Sequence, residues 1–249
     1  MTPTLSLRDE AMRAFVSSLS RLHPTAPTWC PDWSVHDLTA HVTAAAQERA
    51  DLIDEHLAGK PTRATRSWEV REPPFRAMAD ELLRECLLEH AVRFESKVAA
   101  LGDGDTIVYT GWTMTADRLR MHSHSEAALH RWDLVGDDAT SIRLLADPAM
   151  VTHAIAAFGA LPAMTESRRW RDGNVLSRPL VLRCAGRPDV VVTPGGSARP
   201  AGDGDGVLIE LERHELPLVL WGRLPSRLRD ANVGAQTLDD LLRHLVVNA

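Results

Sequence analysis

Glu126 and His130 stand four residues apart in the stretch 115–136, which reads TADRLRMHSHSEAALHRWDLVG. On a helix, that spacing puts a carboxylate and an imidazole on one face, about 6 Å apart along the axis. The pair is costly to bury unless something compensates both groups, and a metal ion is one such partner. The plainer reading is a helix-surface pair contributing a few tenths of a kcal/mol. His122 extends the ladder by one more turn. His122 and His130 are then about 12 Å apart along the axis, too far to bind one ion together at about 2 Å each. The helix can supply two ligands, so a third has to come from another element.

His41 is the best outside candidate, because it interrupts an apolar stripe between Leu38 and Val42 and must face a neighbouring helix. Its ordinary alternative is a core histidine hydrogen-bonded to backbone or carboxylate. His90 occupies a similar position on a later helix and is the rival. A His41, Glu126 and His130 set leaves coordination positions open, the arrangement of a catalytic metal site. Two imidazoles and a carboxylate suit zinc, nickel, iron and manganese alike. Asp133, one turn beyond His130, could orient an imidazole from behind, or simply end the helix. His122 and His124 bring further imidazoles beside the pocket, as solvent-facing groups or a proton shuttle. Cys30 reads as a small buried hydrophobe near the site.

Helices have to position these residues, and the sequence supplies them. Ser6-x-x-Asp9 resembles a capping box, followed by Met12, Phe15, Val16, Leu19 and Leu22 at helical spacing. Ser34-x-x-Asp37 opens a second helix that carries His41 and ends near Gly59-Lys60-Pro61. Residues 61–74 are charged and proline-bearing and read as a connection. A third helix is expected from about Phe75 to Leu101, then a brief β-branched piece over 106–113, then the helix of Glu126 and His130. Four long amphipathic helices with modest loops suggest an antiparallel bundle. Asp147-Pro148 signals a fifth helix through about Ala163. Beyond it, strand-like runs at 179–184, 190–193 and 207–211 alternate with glycine and proline, and helical pieces follow near 214–221 and 237–247. The expectation is a helical domain over 1–165 and a small α+β domain over 175–249.

Composition narrows the partners. The 249 residues carry a net charge of −6, so no basic field exists to displace counterions from a nucleic acid. Lys60 and Lys97 are the only lysines, which makes the arginine content a coding bias rather than a binding patch. No apolar run approaches the roughly 20 residues of a membrane span, and no signal-peptide core opens the chain. Cys30, Cys86 and Cys184 form no C-x-x-C, so a reducing cytoplasm is the expected compartment. No pattern sets an oligomeric state.

The stretch 29–41, WCPDWSVHDLTAH, resembles the P-x-W-x-V-x-D-L-x-x-H signature of mycothiol-dependent maleylpyruvate isomerase-like proteins. Residues 126–133, EAALHRWD, are similar to the same family's E-x-x-x-H-x-x-D motif, and Trp221-Gly222-Arg223 resembles a W-G-R found in its C-terminal domain. Together they cover essentially the whole chain in the right order. The resemblance implies a DinB-like four-helix bundle followed by an α+β domain similar to sterol carrier protein 2. It also implies that His41, Glu126 and His130 bind a divalent metal, usually zinc. Mycothiol would serve as the low-molecular-weight thiol, activated as a thiolate for addition to a small electrophile, in an isomerisation or an S-transfer. Arg223 corresponds to a family arginine that helps hold the anionic substrate or thiol, with Arg227 and Arg229 close by. Two other readings compete: a DinB-like hydrolase whose metal activates water, and a non-catalytic thiol- or metal-binding stress protein.

Overall fold

The computed structural model describes residues 7–161, 179–192, 198–200, 206–228, 232–233 and 236–237. The chain divides into two units, Met1–Ser141 and Ile142–Ala249.

In the first unit, α1 (Glu10–Leu19) starts at Asp9, whose side chain accepts the Met12 N–H. Ser6, the other half of the expected box, lies outside the described residues. α2 (Val35–Leu57) has its box complete: Ser34 accepts the Asp37 N–H, and the Asp37 carboxylate accepts the Ser34 N–H. Where α2 begins decides where His41 points, so this cap belongs to the site as much as to the fold.

The connection contains two short turns, α3 (Trp68–Arg71) and α4 (Pro73–Arg76), before α5 (Asp80–Ala99). The helix expected from Phe75 is therefore broken. Ala79 is extended and caps α5, while Phe75 stays in α4 and is buried with Ala40, Ala44 and Leu83. Seating that ring in the core competes with a straight helix through 75–80.

The β-branched piece after α5 is a hairpin, β1 (Thr106–Tyr109) with β2 (Trp112–Thr115). Thr110 and Gly111 both have positive φ, the requirement of a type I′ turn. α6 (Ala116–Val135) follows, capped by Thr115 and ended by Gly136. Gly136 has φ of 74°, and a Cβ there would sit 3.0 Å from Trp29 Nε1. Turn and close approach both demand glycine at this position. α2 lies along α5 and α1 along α6, completing the expected antiparallel four-helix bundle.

The second unit opens in α7 (Ala139–Leu145), which the sequence reading missed, and α8 (Pro148–Ala160). Asp147 caps α8 and Pro148 occupies its first turn, as expected. α8, placed with the helical segment in the sequence expectation, packs instead on a short strand, Ala198–Pro200, and on a helix, Glu215–Leu220. The sheet runs β5 (Ala198–Pro200), β4 (Val190–Val192), β3 (Leu180–Cys184), β6 (Val207–Leu211). Only β3 and β6 are parallel. α9 (Glu215–Leu220) follows, and the two-residue strands β7 (Asn232–Val233) and β8 (Gln236–Thr237) pair with each other. Of the helix expected over 237–247, only Thr237 is among the described residues, and it lies in β8.

Candidate metal centre

The first two turns of α2 and the last three of α6 bring His41, Glu126 and His130 together. One ligand atom from each lies within 4.8 Å of the other two. His41 and His130 meet edge to face with ring centroids 5.0 Å apart, and His130 Nε2 is 3.9 Å from Glu126 Oε2. His41 and His130 are buried and Glu126 is half-buried, so Glu126 marks the more open side.

Each imidazole has its other nitrogen occupied. His130 Nδ1 lies 2.9 Å from Asp133 Oδ2, one turn along the same helix. Asp133 is fully buried, and its backbone carbonyl accepts the Trp29 N–H. His41 Nδ1 lies 2.6 Å from Oε1 of Glu72, a carboxylate that is 1% exposed. Both rings are thereby left with Nε2 for the shared centre. Asp133 faces His130 Nδ1, the position from which it could orient that ring. Glu72 was missed, because it sits in a stretch that reads as a linker. The available signal was Arg76 four residues on, a carboxylate–guanidinium spacing that forms an ion pair here.

Burial holds the His41 imidazole below its ordinary pKa, which favours the neutral form a metal requires. Burial by itself would raise the Glu126 carboxyl. The surrounding His122, His130 and His41, with Arg49, outweigh it and hold the carboxyl down to about 2. His122 is buried one turn before Glu126, with its ring against Tyr109 and Trp112, and burial lowers it to about 4. His124 pairs with Asp9 at 2.8 Å, tying α6 to the cap of α1, and does not join the three. His90 does not join them either; its ring packs edge-on against Phe75.

The residues fit a divalent ion. Two atoms each about 2.0–2.1 Å from one ion are at most about 4 Å apart, close to the spacing of His130 Nε2 and Glu126 Oε2. A second cluster, Cys30 with His130 and Asp133, is similarly compact. There, however, His130 Nδ1 and Asp133 already satisfy each other, which leaves the set with His41 the better cage. A cavity of about 380 Å3 opens elsewhere in this unit, between Met12, Ala46, Phe94 and Val98, with Arg8 and Arg120 on its lining. None of the three candidate ligands lines it.

Arg223 belongs to the second unit. It follows α9 and the positive-φ Gly222, and its guanidinium donates to the Trp221 carbonyl. Arg227 is engaged by the buried Glu215. Arg229 lies outside the described residues. Among the described residues, no helix is long and apolar enough to cross a membrane.

Residues 5–135 match the family model of the mycothiol maleylpyruvate isomerase N-terminal domain. Two solved structures of a mycothiol-dependent maleylpyruvate isomerase share the fold. One is a histidine-to-alanine variant, 16% identical, with a TM-score of 0.62 over 86% of this chain and 85% of that one. The other is 18% identical, with a TM-score of 0.57 over 87% and 86%. No curated protein matches by sequence.

Proposed function

Because the chain belongs to the mycothiol maleylpyruvate isomerase N-terminal domain family, we propose that it is a metal-dependent enzyme acting with mycothiol on a small electrophile. The observation that carries this reading is the convergence of His41, Glu126 and His130 with both Nδ1 atoms occupied by carboxylates. His41 and His130 would hold the ion through Nε2 and Glu126 through a carboxylate oxygen. A divalent ion bound there, zinc by the family resemblance, lowers the pKa of a coordinating thiol and keeps it a thiolate near neutral pH.

The protein's own groups serve that chemistry. Glu72 and Asp133 each face one Nδ1 atom and orient the two rings. Trp33 packs on the His41 ring at 5.1 Å and limits water on that flank. The half-buried Glu126 leaves one side for the thiol and its partner. The reaction class is addition of the thiol sulfur to an electrophilic carbon. In an isomerisation the new C–S bond breaks again after rotation about the former double bond; in an S-transfer it is kept. Arg223 is assigned to the anionic end of the substrate or thiol, on the strength of the Trp221-Gly222-Arg223 motif. A cytoplasmic setting is consistent with Cys30, Cys86 and Cys184 standing as thiols outside any disulfide.

Metal analysis tests the assignment. The purified protein is expected to hold about one divalent ion per chain, and His41→Ala and His130→Ala to hold far less. Equal metal in all three proteins would falsify the site.

A further inference from the structure

Glu72 lies on the connection between α2 and α5, at the junction of α3 and α4, and its spacing to Arg76 is the one sequence pattern it joins. Its backbone is helical, with φ of −85° and ψ of −35°. Proline follows it, and a residue before proline is biased away from that conformation. The local sequence therefore does not favour the geometry observed. The side chain does, because each carboxylate oxygen is engaged. Oε1 faces His41 Nδ1 at 2.6 Å, and Oε2 accepts from Arg76 Nη2 at 2.8 Å and from Nε at 3.2 Å.

Arg76 is itself held on two further sides. Its Nη1 donates to Asp37, whose other oxygen accepts from the Ser34 cap, and its guanidinium lies 5.0 Å over the Trp33 ring. The chain of contacts thus starts at the cap that begins α2, passes through α4, and returns to α2 one turn later at His41. The rest of the connection is pinned as firmly. Glu48, fully buried on α2, accepts from Arg63 and from both the backbone and side chain of Arg66. Thr65 Oγ1 accepts the Thr110 N–H from the hairpin.

A carboxylate paired with arginine has no proton to give, so the hydrogen between Glu72 and His41 has to sit on the imidazole. We infer that Glu72 is a positioning residue that fixes His41 as the Nδ1–H tautomer, so that Nε2 is the atom His41 offers to the centre. The inference rests on the metal reading for its consequence but not for its test, because the tautomer exists without a metal. Glu72→Gln keeps the shape and removes the charge. Arg76 then claims the amide oxygen, which turns the amide NH2 toward Nδ1 and favours the opposite tautomer.

The experiment is nitrogen-edited imidazole NMR on the metal-free protein, paired with zinc affinity measured by chelator competition. The wild type, Glu72→Gln and Glu69→Gln are compared, Glu69 being exposed on the same connection. The wild type is expected to show His41 protonated at Nδ1. Glu72→Gln is expected to lose that signature and to bind zinc about 10- to 100-fold more weakly, while Glu69→Gln changes neither. An Nε2–H tautomer in the wild type overturns the inference. So does a Glu72→Gln protein that keeps the wild-type tautomer, or one that changes tautomer and binds zinc as tightly as before. If no form binds zinc, the metal reading fails while the tautomer comparison still decides the role of Glu72.

Discussion

His41, His122 and His130 are all buried on or against α6, yet their surroundings divide them into two kinds. His41 and His130 each face a buried carboxylate through Nδ1. His122 lies among the rings of Tyr109 and Trp112, and burial depresses its pKa to about 4. This difference has a consequence for stability. The unfolded chain takes up a proton at His122 near pH 6.5, whereas the folded chain resists it down to about pH 4. The stability associated with a neutral His122 is therefore present above about pH 6.5 and is lost as pH falls toward 4. The slope approaches about 1.4 kcal/mol per pH unit for one such group. His41 is shifted in the same direction and adds to the trend. Urea midpoints of the metal-free protein should fall over this window, and those of His122→Gln should fall less steeply. Parallel profiles for the two proteins would show that His122 titrates normally.

α6 is the element on which the site depends, and it is an unusual helix. His122, Ser123, Ser125, His130, Arg131 and Asp133 are buried along it beside Leu119, Leu129 and Trp132. Burying that many polar groups is unfavourable unless each finds a partner. Its weak amphipathic pattern is the reason that the Glu126–His130 spacing, not hydrophobic periodicity, was the informative signal. α2 was legible for the opposite reason: the Ser34–Asp37 box marked its start, and the apolar stripe broken by His41 marked its candidate ligand. The connection was not legible. Its short turns are held by ion pairs between residues far apart in sequence, Glu48 with Arg66 and Glu72 with His41, which no local period reveals. The end of α6 offers a test at this scale. Gly136→Ala places a side chain at φ of 74° and against Trp29, whose backbone N–H anchors the loop to Asp133. The expected loss is at least about 1 kcal/mol in urea unfolding. An unchanged midpoint would mean that the loop before α2 yields freely.

Across the whole molecule, the family match accounts for the bundle, and the fold likeness extends through most of the chain. The strands of the second unit could be read from short apolar runs between glycines and prolines, because Val190–Val192 and Val207–Leu211 have no helical alternative of sufficient length. Arg223 could be named only from the Trp221-Gly222-Arg223 motif, in a chain whose positive charge is almost all arginine. If it holds an anionic group of the substrate or thiol, Arg223→Ala should lower kcat/KM at least about 10-fold while leaving metal content unchanged. Turnover at the wild-type rate would remove it from the mechanism.

His41, Glu126 and His130 are proposed to hold an ion that activates a thiol. Cobalt(II) in place of zinc makes that visible, since a coordinating thiolate adds an intense sulfur-to-metal absorption in the near ultraviolet. Titrating mycothiol into the cobalt-loaded protein should produce this band with saturation, and cobalt-treated His130→Ala should not develop it. A cobalt spectrum that stays unchanged up to millimolar mycothiol would mean that the thiol does not reach an ion at this centre.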